Sequence, residues 1–172
     1  MKMQHATVFL PVVLLALSLF NTSPCQAGVR LEGTIVGITD GDTVKLLTED
    51  DQQVKIRLDG IDAPEKKQAF GDASKKCLST LIFGKKVSVE TKGLDMYKRT
   101  LGIIIHDGLN VNLEMVKLGF AWRFDKYSND QALLDAQNAA KAQSLGLWAN
   151  PNPVAPWTFR KVEKAKHAKA TS

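Results

Sequence analysis

A mainly β, α+β chain is predicted: a five-stranded, OB-like Greek-key barrel carrying three helices. Three observations predict it. Five short stretches read as strands, with period-two alternation in GTIVGIT and VKIRLDGI, turn-forming residues separate the early ones, and one helix-period segment falls between the third and fourth of them. The resulting order, β-β-β-α-β-β-α-α, is that of a small barrel whose loops have to carry any chemistry.

The elements follow in order. Gly33 to Thr39, GTIVGIT, alternates as a strand, DGDT supplies turn residues, and VKLL resumes the strand, which makes a hairpin. EDDQQ is a second turn, and VKIRLDGI a third strand with Val54, Ile56 and Leu58 set against Lys55, Arg57 and Asp59. From Phe70 to Phe83 the apolar positions recur at three and four, so a helix is expected there, closed by Gly84. Cys77 falls on its apolar face with Phe70, Ala73, Leu78 and Leu81, and reads as a small buried hydrophobe rather than a nucleophile. KKVSVET and TLGIIIH are two more strands, joined by a loop containing GLDMYKR. Asn112 is placed as the cap of a short helix through Leu118, ended by Gly119, and a third helix runs from about Asp130 to Ser144.

Both ends of the chain differ from this body. Lys2 and His5 precede an apolar run from Val8 to Phe20, too short to span a bilayer, and Cys25-Gln26-Ala27 resembles a small-x-Ala cleavage site. Residues 1–27 are therefore expected to be a signal peptide, 28–159 the folded domain and 160–172 a basic, disordered tail. A periplasmic or secreted monomer, with no stable membrane insertion after cleavage, is the expectation. The net charge of +5 resides in the ends, because residues 160–172 contribute five cations against Glu163 and residues 1–27 contribute Lys2, leaving the body neutral. Such a tail would add weak, sequence-independent attraction to polyanions. Cleavage after Ala27 leaves Cys77 without a partner in its own chain, so stability must come from packing.

Two acidic clusters stand at strand ends: Asp40 and Asp42 in the first hairpin turn, and Asp62 and Glu65 after the third strand. In a meander the exit from strand three lies at the same end as the first turn, so the clusters can meet. Converging carboxylates repel unless a hard cation sits among them, and oxygen donors select Ca²⁺ or Mg²⁺. Arg57 lies in strand three and Arg99 beside a loop; guanidinium groups bind phosphate oxygens in pairs. Two arginines, several acids and an oxygen-preferring metal are what in-line attack on a phosphodiester requires. Asp40 and Gly41 read as turn residues, and Asp59 as a solvated strand-end acid. Trp148 and Trp157 read as packing residues, while Trp122 and Tyr127, near the expected cleft, are candidates to stack on a base. His106 has no second His or Cys at ligand spacing, which argues against zinc.

The stretches DGDTVKL, RLDGIDAPE and DMYKR, in this order, resemble the staphylococcal (micrococcal) nuclease family, over about Gly33 to Trp148. The closing GLWANPNPVAPWTFRK resembles its secreted Gram-negative branch. The resemblance implies that Asp42 and Asp62 ligate Ca²⁺ with the carbonyl of Ala63, and that Glu65 orients or deprotonates the attacking water. It further implies that Arg57 and Arg99 hold the scissile phosphate, that Tyr97 contacts the nucleotide, and that DNA and RNA, single strands preferred, are cut to 3′-phosphate ends. Two departures stand out: Met96 and Lys98 replace a lysine and a glycine of the usual Lys-Tyr-Gly-Arg loop, and Ala63 replaces a common threonine. The alternative is a noncatalytic module that binds single-stranded nucleic acid on the same barrel; a protein-interaction domain is a third reading. Arg57 and Glu65 are both expected to be partly exposed, so that replacing either leaves the fold intact.

Overall fold

In the computed structural model, which describes residues 29–170, the first three predicted strands stand as β1 (Arg30–Ile38), β2 (Thr43–Thr48) and β3 (Gln53–Leu58). The expected signal peptide, residues 1–27, and the expected mature start at Gly28 lie outside the described residues. A two-residue strand β4 (Ile61–Asp62) precedes helix α1 (Gly71–Ile82), which is followed by β5 (Lys86–Leu94) and β6 (Thr100–His106). A second short strand, β7 (Leu109–Asn110), leads into α2 (Val111–Lys117), and a third, β8 (Trp122–Arg123), precedes α3 (Gln131–Ala142). A 3-10 turn at Gly146–Ala149 and helix α4 (Pro156–Ala170) complete the order.

The five long strands close into a barrel. β1 pairs antiparallel with both β2 and β5, β2 with β3, and β5 with β6, and the ring is completed by parallel pairing of β3 with β6. Register shifts between Ile35 and Gly37 in β1 and between Thr91 and Gly93 in β5 supply the bends that closure requires. Ile35, Val44, Leu46, Ile56, Leu58 and Ile104 are buried at its centre. Each such side chain contributes about 1.5–3 kcal/mol by leaving water.

Helix α1 covers one side through Gly71, Ser74, Leu78 and Ile82, a spacing of three and four. Ala73 is exposed rather than on that face, and Cys77 is half-buried, its thiol pushed up to about 11 by burial and by the charge of Glu114. A thiol so protonated is a packing group, not a nucleophile.

Three expectations are corrected. There are four α-helices among the described residues rather than three, because α4 runs through the boundary at residue 160 where a disordered tail was expected. Three two-residue strands accompany the five long ones, too short to show any alternation. The cap of α2 is Asn110, whose side chain accepts from the Leu113 N–H at 3.0 Å. Asn112 is instead buried: its Oδ1 accepts from Ile104 N–H at 3.1 Å, and its Nδ2 donates to the carbonyls of Asp59 at 2.9 Å and Gly102 at 3.0 Å. Its amide ties β6 to the turn after β3, at the end of the barrel where the acidic residues gather.

Candidate active site

Strand register brings the site together. Arg57 of β3 pairs across Thr43 of β2 on one side and Leu101 of β6 on the other. It therefore lies beside the residue after Asp42 and close to the loop that ends at Arg99. In β3, Ile56 and Leu58 face the barrel interior while Arg57 alternates to the opposite side, yet all three are buried. The first hairpin turn is tight: Thr39 N–H donates to the Thr43 carbonyl at 2.8 Å, and Asp42 N–H to Asp40 Oδ1 at 3.2 Å. Gly41 lets α1 approach it, since a Cβ there would run into Ser74 Oγ and Ala63 Cβ. After β3, Gly60 turns the chain at φ 76, and Asp62 then pairs across Trp122 in the β4–β8 ladder.

Arg57 is held between two acids. Its Nη1 lies 3.1 Å from Asp42 Oδ2 and donates to the Leu58 carbonyl at 3.0 Å, and its Nη2 donates to Asp62 Oδ1 at 3.0 Å. Asp42 also accepts from the Ala63 N–H at 2.7 Å and from the Thr43 hydroxyl at 3.0 Å. Arg57 is only 8% exposed, so the expectation that it is partly exposed and silent for folding is corrected. Asp40 is half-buried, and burial together with the neighbouring Asp42 charge raises its carboxyl to about 6. It is thus an acid of the cluster as well as a turn residue.

Glu65 stands at the rim of the cluster, three residues after Asp62 and 38% exposed. Its main-chain N–H donates to Gln68 Oε1 at 3.2 Å, and Gln68 Nε2 donates in turn to the Val154 carbonyl. Its carboxylate accepts from an arginine that sequence reasoning assigned to the tail: Arg160 of α4 donates from Nη1 to Glu65 Oε1 at 2.7 Å. The same guanidinium donates to Asp62, from Nη1 to Oδ1 at 3.2 Å and from Nη2 to Oδ2 at 2.7 Å. Burial pushes Asp62 above the ordinary carboxylate range, against the pull of Arg160 and Arg57. With guanidinium donors on both of its oxygens, however, the carboxylate is the form this geometry serves. Burial also works against the charge of Arg160, but its hydrogen bonds to Asp62 and Glu65 outweigh this and hold it well above its ordinary value.

Arg99 belongs to the same barrel end but pairs within its own loop. Its Nε lies 2.6 Å from Asp95 Oδ2, its N–H donates to Asp95 Oδ1 at 2.9 Å, and its guanidinium sits 5.4 Å from the Tyr97 ring centre. Met96 and Tyr97 are exposed, and Lys98, where the usual loop has glycine, is in the left-handed region at φ 60. Trp122 is packed rather than open, with its ring centre 4.3 Å from that of Trp148 and 5.7 Å from that of Trp157, whereas Tyr127 is exposed and meets Phe124 edge-on. Between the Glu65 loop and the C-terminal segment lies a cavity of about 200 Å³, walled by Pro64, Phe70, Trp122, Val154 and Phe159 among others.

A buried arginine shared by two aspartates, with a third acid at the rim, brings together residues of DGDTVKL and RLDGIDAPE, while Arg99 of DMYKR pairs with Asp95. The family model described as "Staphylococcal nuclease homologue" matches residues 55–150, more than half of the chain. The chain belongs to the staphylococcal nuclease family. A Haemophilus influenzae protein named as an uncharacterized endonuclease is 48% identical over 134 residues, covering 78% of this chain and 75% of its own length. An Escherichia coli protein of the same description is 42% identical over 131 residues, covering 76% of this chain and 85% of its own. A micrococcal nuclease of Shigella flexneri is 36% identical over 173 residues, covering 94% and 98% respectively. For a member of the staphylococcal nuclease family, the stretch matched by the family model contains Arg57, Asp62, Ala63, Glu65 and Arg99 but stops short of Arg160.

The donor set of this family member suits a hard cation. Asp42, Asp62 and the Ala63 carbonyl offer only oxygen. Among the described residues no three side chains of His, Cys, Asp and Glu converge as a metal-ligand group, and both Asp62 oxygens accept from Arg57 or Arg160.

Proposed function

We propose that this chain is a calcium-dependent, sugar-nonspecific nuclease that hydrolyses phosphodiester bonds of DNA and RNA to 3′-phosphate ends. It is further read as a secreted or periplasmic monomer that prefers single strands. The observation carrying this reading is the Arg57 guanidinium, 3.1 Å from Asp42 and 3.0 Å from Asp62, with Glu65 on the same short segment. One strand end thereby delivers a phosphate-binding cation, a metal-binding acid and an acid able to handle water, and the first hairpin turn adds Asp42. The names of the Shigella and Haemophilus relatives support the same reading.

Each residue then has a chemical task. Asp42, Asp62 and the Ala63 carbonyl would hold Ca²⁺, which when bound supplies charge neutralisation at the phosphate. Glu65, with its carboxylate at the rim, orients a water and takes its proton as the oxygen attacks phosphorus. Arg57 and Arg99 stabilise the charge that builds on the phosphoryl oxygens and the leaving 5′-oxygen. Tyr97, exposed beside Arg99, meets the nucleotide, and Tyr127 remains open to a base.

The test is cleavage of single-stranded DNA and RNA by the purified mature protein in Ca²⁺, in Mg²⁺ and in chelator, beside Glu65→Gln, with product ends identified. Calcium-dependent cleavage to 3′-phosphates, reduced about 10²- to 10⁴-fold in the variant, is the expected result. Binding without cleavage in any metal would instead support the noncatalytic module.

A further inference from the structure

We propose that Arg160 is a positioning residue of the active site, supplied by the C-terminal helix and acting through Glu65; the inference rests on the nuclease reading above. The helix is docked, not trailing. Pro156 starts it and is buried, Trp157 stacks on Phe124 with ring centres 5.4 Å apart and planes 6° apart, and Gln68 clamps the preceding segment at Val154. Arg160 lies three residues after Trp157, one helical turn on and on the same side.

From that anchor the guanidinium bridges two acids that have different tasks. Nη1 donates to both Asp62 Oδ1 and Glu65 Oε1, at 3.2 and 2.7 Å, while Nη2 donates to Asp62 Oδ2 at 2.7 Å. Asp62 is 1% exposed and already fixed by Arg57, so it is the rigid end of the bridge. Glu65 is on a loop and 38% exposed, and its carboxylate takes its hydrogen bond from Arg160. Without that bond the side chain would swing into solvent, and repulsion from Asp62 would favour the swing. The planar fork is what allows one side chain to hold two carboxylates at a set spacing, which a lysine ammonium does not do. Arg160 therefore sets where the water-handling oxygen of Glu65 stands relative to the metal-binding acid.

Wild type, Arg160→Ala, Glu65→Gln and the double variant, all in the full mature chain, are compared on single-stranded DNA in Ca²⁺. Arg160→Ala is expected to lower kcat about 10- to 100-fold, the range for removing a group that orients a ligand or base, with KM changed less than about threefold. Guanidinium ion at sub-denaturing concentration should restore part of the loss, and ammonium should not; such rescue also shows that the variant is folded. In the Glu65→Gln background the same substitution should change kcat less than about twofold, because the group it positions is gone. Calorimetric titration should show Ca²⁺ binding no tighter in Arg160→Ala than in wild type. An unchanged kcat in Arg160→Ala beside an active wild type overturns the inference and leaves the nuclease reading standing. Faster turnover with tighter Ca²⁺ binding would also overturn it, making α4 a brake that competes for Asp62. A wild type that cleaves nothing in any metal removes the nuclease reading and this inference together.

Discussion

Arg57 Nη2 and Asp62 Oδ1 meet at 3.0 Å in a site where the aspartate is 1% exposed and the arginine 8%. Five residues of chain, with a glycine turn between them, close this pair, so the ion pair is set by the path of the backbone as much as by charge. The pair ties the end of β3 to β4 and so builds the barrel end at which the acids gather.

Removing Arg57 should therefore cost stability as well as activity. Arg57→Ala leaves Asp42 and Asp62 buried without their shared cation, and breaking a buried pair on one side typically costs about 3–5 kcal/mol. The deficit should shrink when Ca²⁺ is added, because a bound cation favours the folded state and offsets the loss of the guanidinium. Urea unfolding of wild type and variant, in chelator and in Ca²⁺, measures this; an equal deficit in both conditions would sink it.

Asp40 gives the fold a pH dependence. Its folded value of about 6 lies above the ordinary 3.8, so between these values the folded protein holds a proton that the unfolded chain has released. The stability of the protonated form is complete below about pH 4 and is lost as pH rises through about 6. Asp40→Asn keeps an oxygen for the Asp42 N–H but does not titrate. In chelator the variant should gain on wild type between pH 4 and pH 7 by on the order of 1–3 kcal/mol. A difference that stays constant with pH would place Asp40 outside the cluster electrostatically.

Lys98 occupies a conformation that suits glycine. Its φ is 60 while its N–H donates to the Asp95 carbonyl at 3.0 Å, so a lysine closes the tight loop that carries Tyr97 and Arg99. Lys98→Gly should stabilise the protein by about 0.5–1 kcal/mol, the left-handed penalty being partly offset by the extra freedom of glycine when unfolded. Denaturant midpoints check it, and a destabilised variant would mean that the loop has no strain to release.

Much of this was legible in the chain before any coordinates. Alternation in β1 to β3 located the barrel, and RLDGIDAPE held Arg57, Asp62 and Glu65 within one stretch. The geometry of a meander, which returns the third strand to the first turn, placed Asp40 and Asp42 near that stretch, and the family resemblance singled out Asp42. Legibility failed where two signals competed. The run of lysines after residue 160 has the composition of a solvated tail, and it masked Pro156, Trp157 and Phe159, the residues that dock α4. Proline at the start of a helix followed by two aromatics was the signal for that helix, and for Arg160 with it. Trp122 was ambiguous for another reason, since an indole near a cleft packs or stacks with equal chemistry, and only the positions of Trp148 and Trp157 decide. For Asn110 and Asn112, two residues apart, only the pairing of β6 with β7 shows which one caps the helix and which enters the core.

That docking leads to the last prediction. Trp157 is an aromatic anchor of α4, stacked on Phe124 and edge-on to Trp122, while the helix beyond Arg160 is largely exposed and basic. An isolated helix of this length is marginal in water, so α4 persists through its anchor rather than through propensity. Trp157→Ala should therefore melt the C-terminal helix while leaving the barrel folded, because the strands close through pairings that α4 does not share. Hydrogen exchange is the measurement: amides across residues 156–170 should lose protection, and those of Ile35, Leu46 and Ile104 should keep theirs. A barrel that loses protection to the same degree would show that α4 and the strands unfold as one unit, and that the anchor stabilises far more than its own helix.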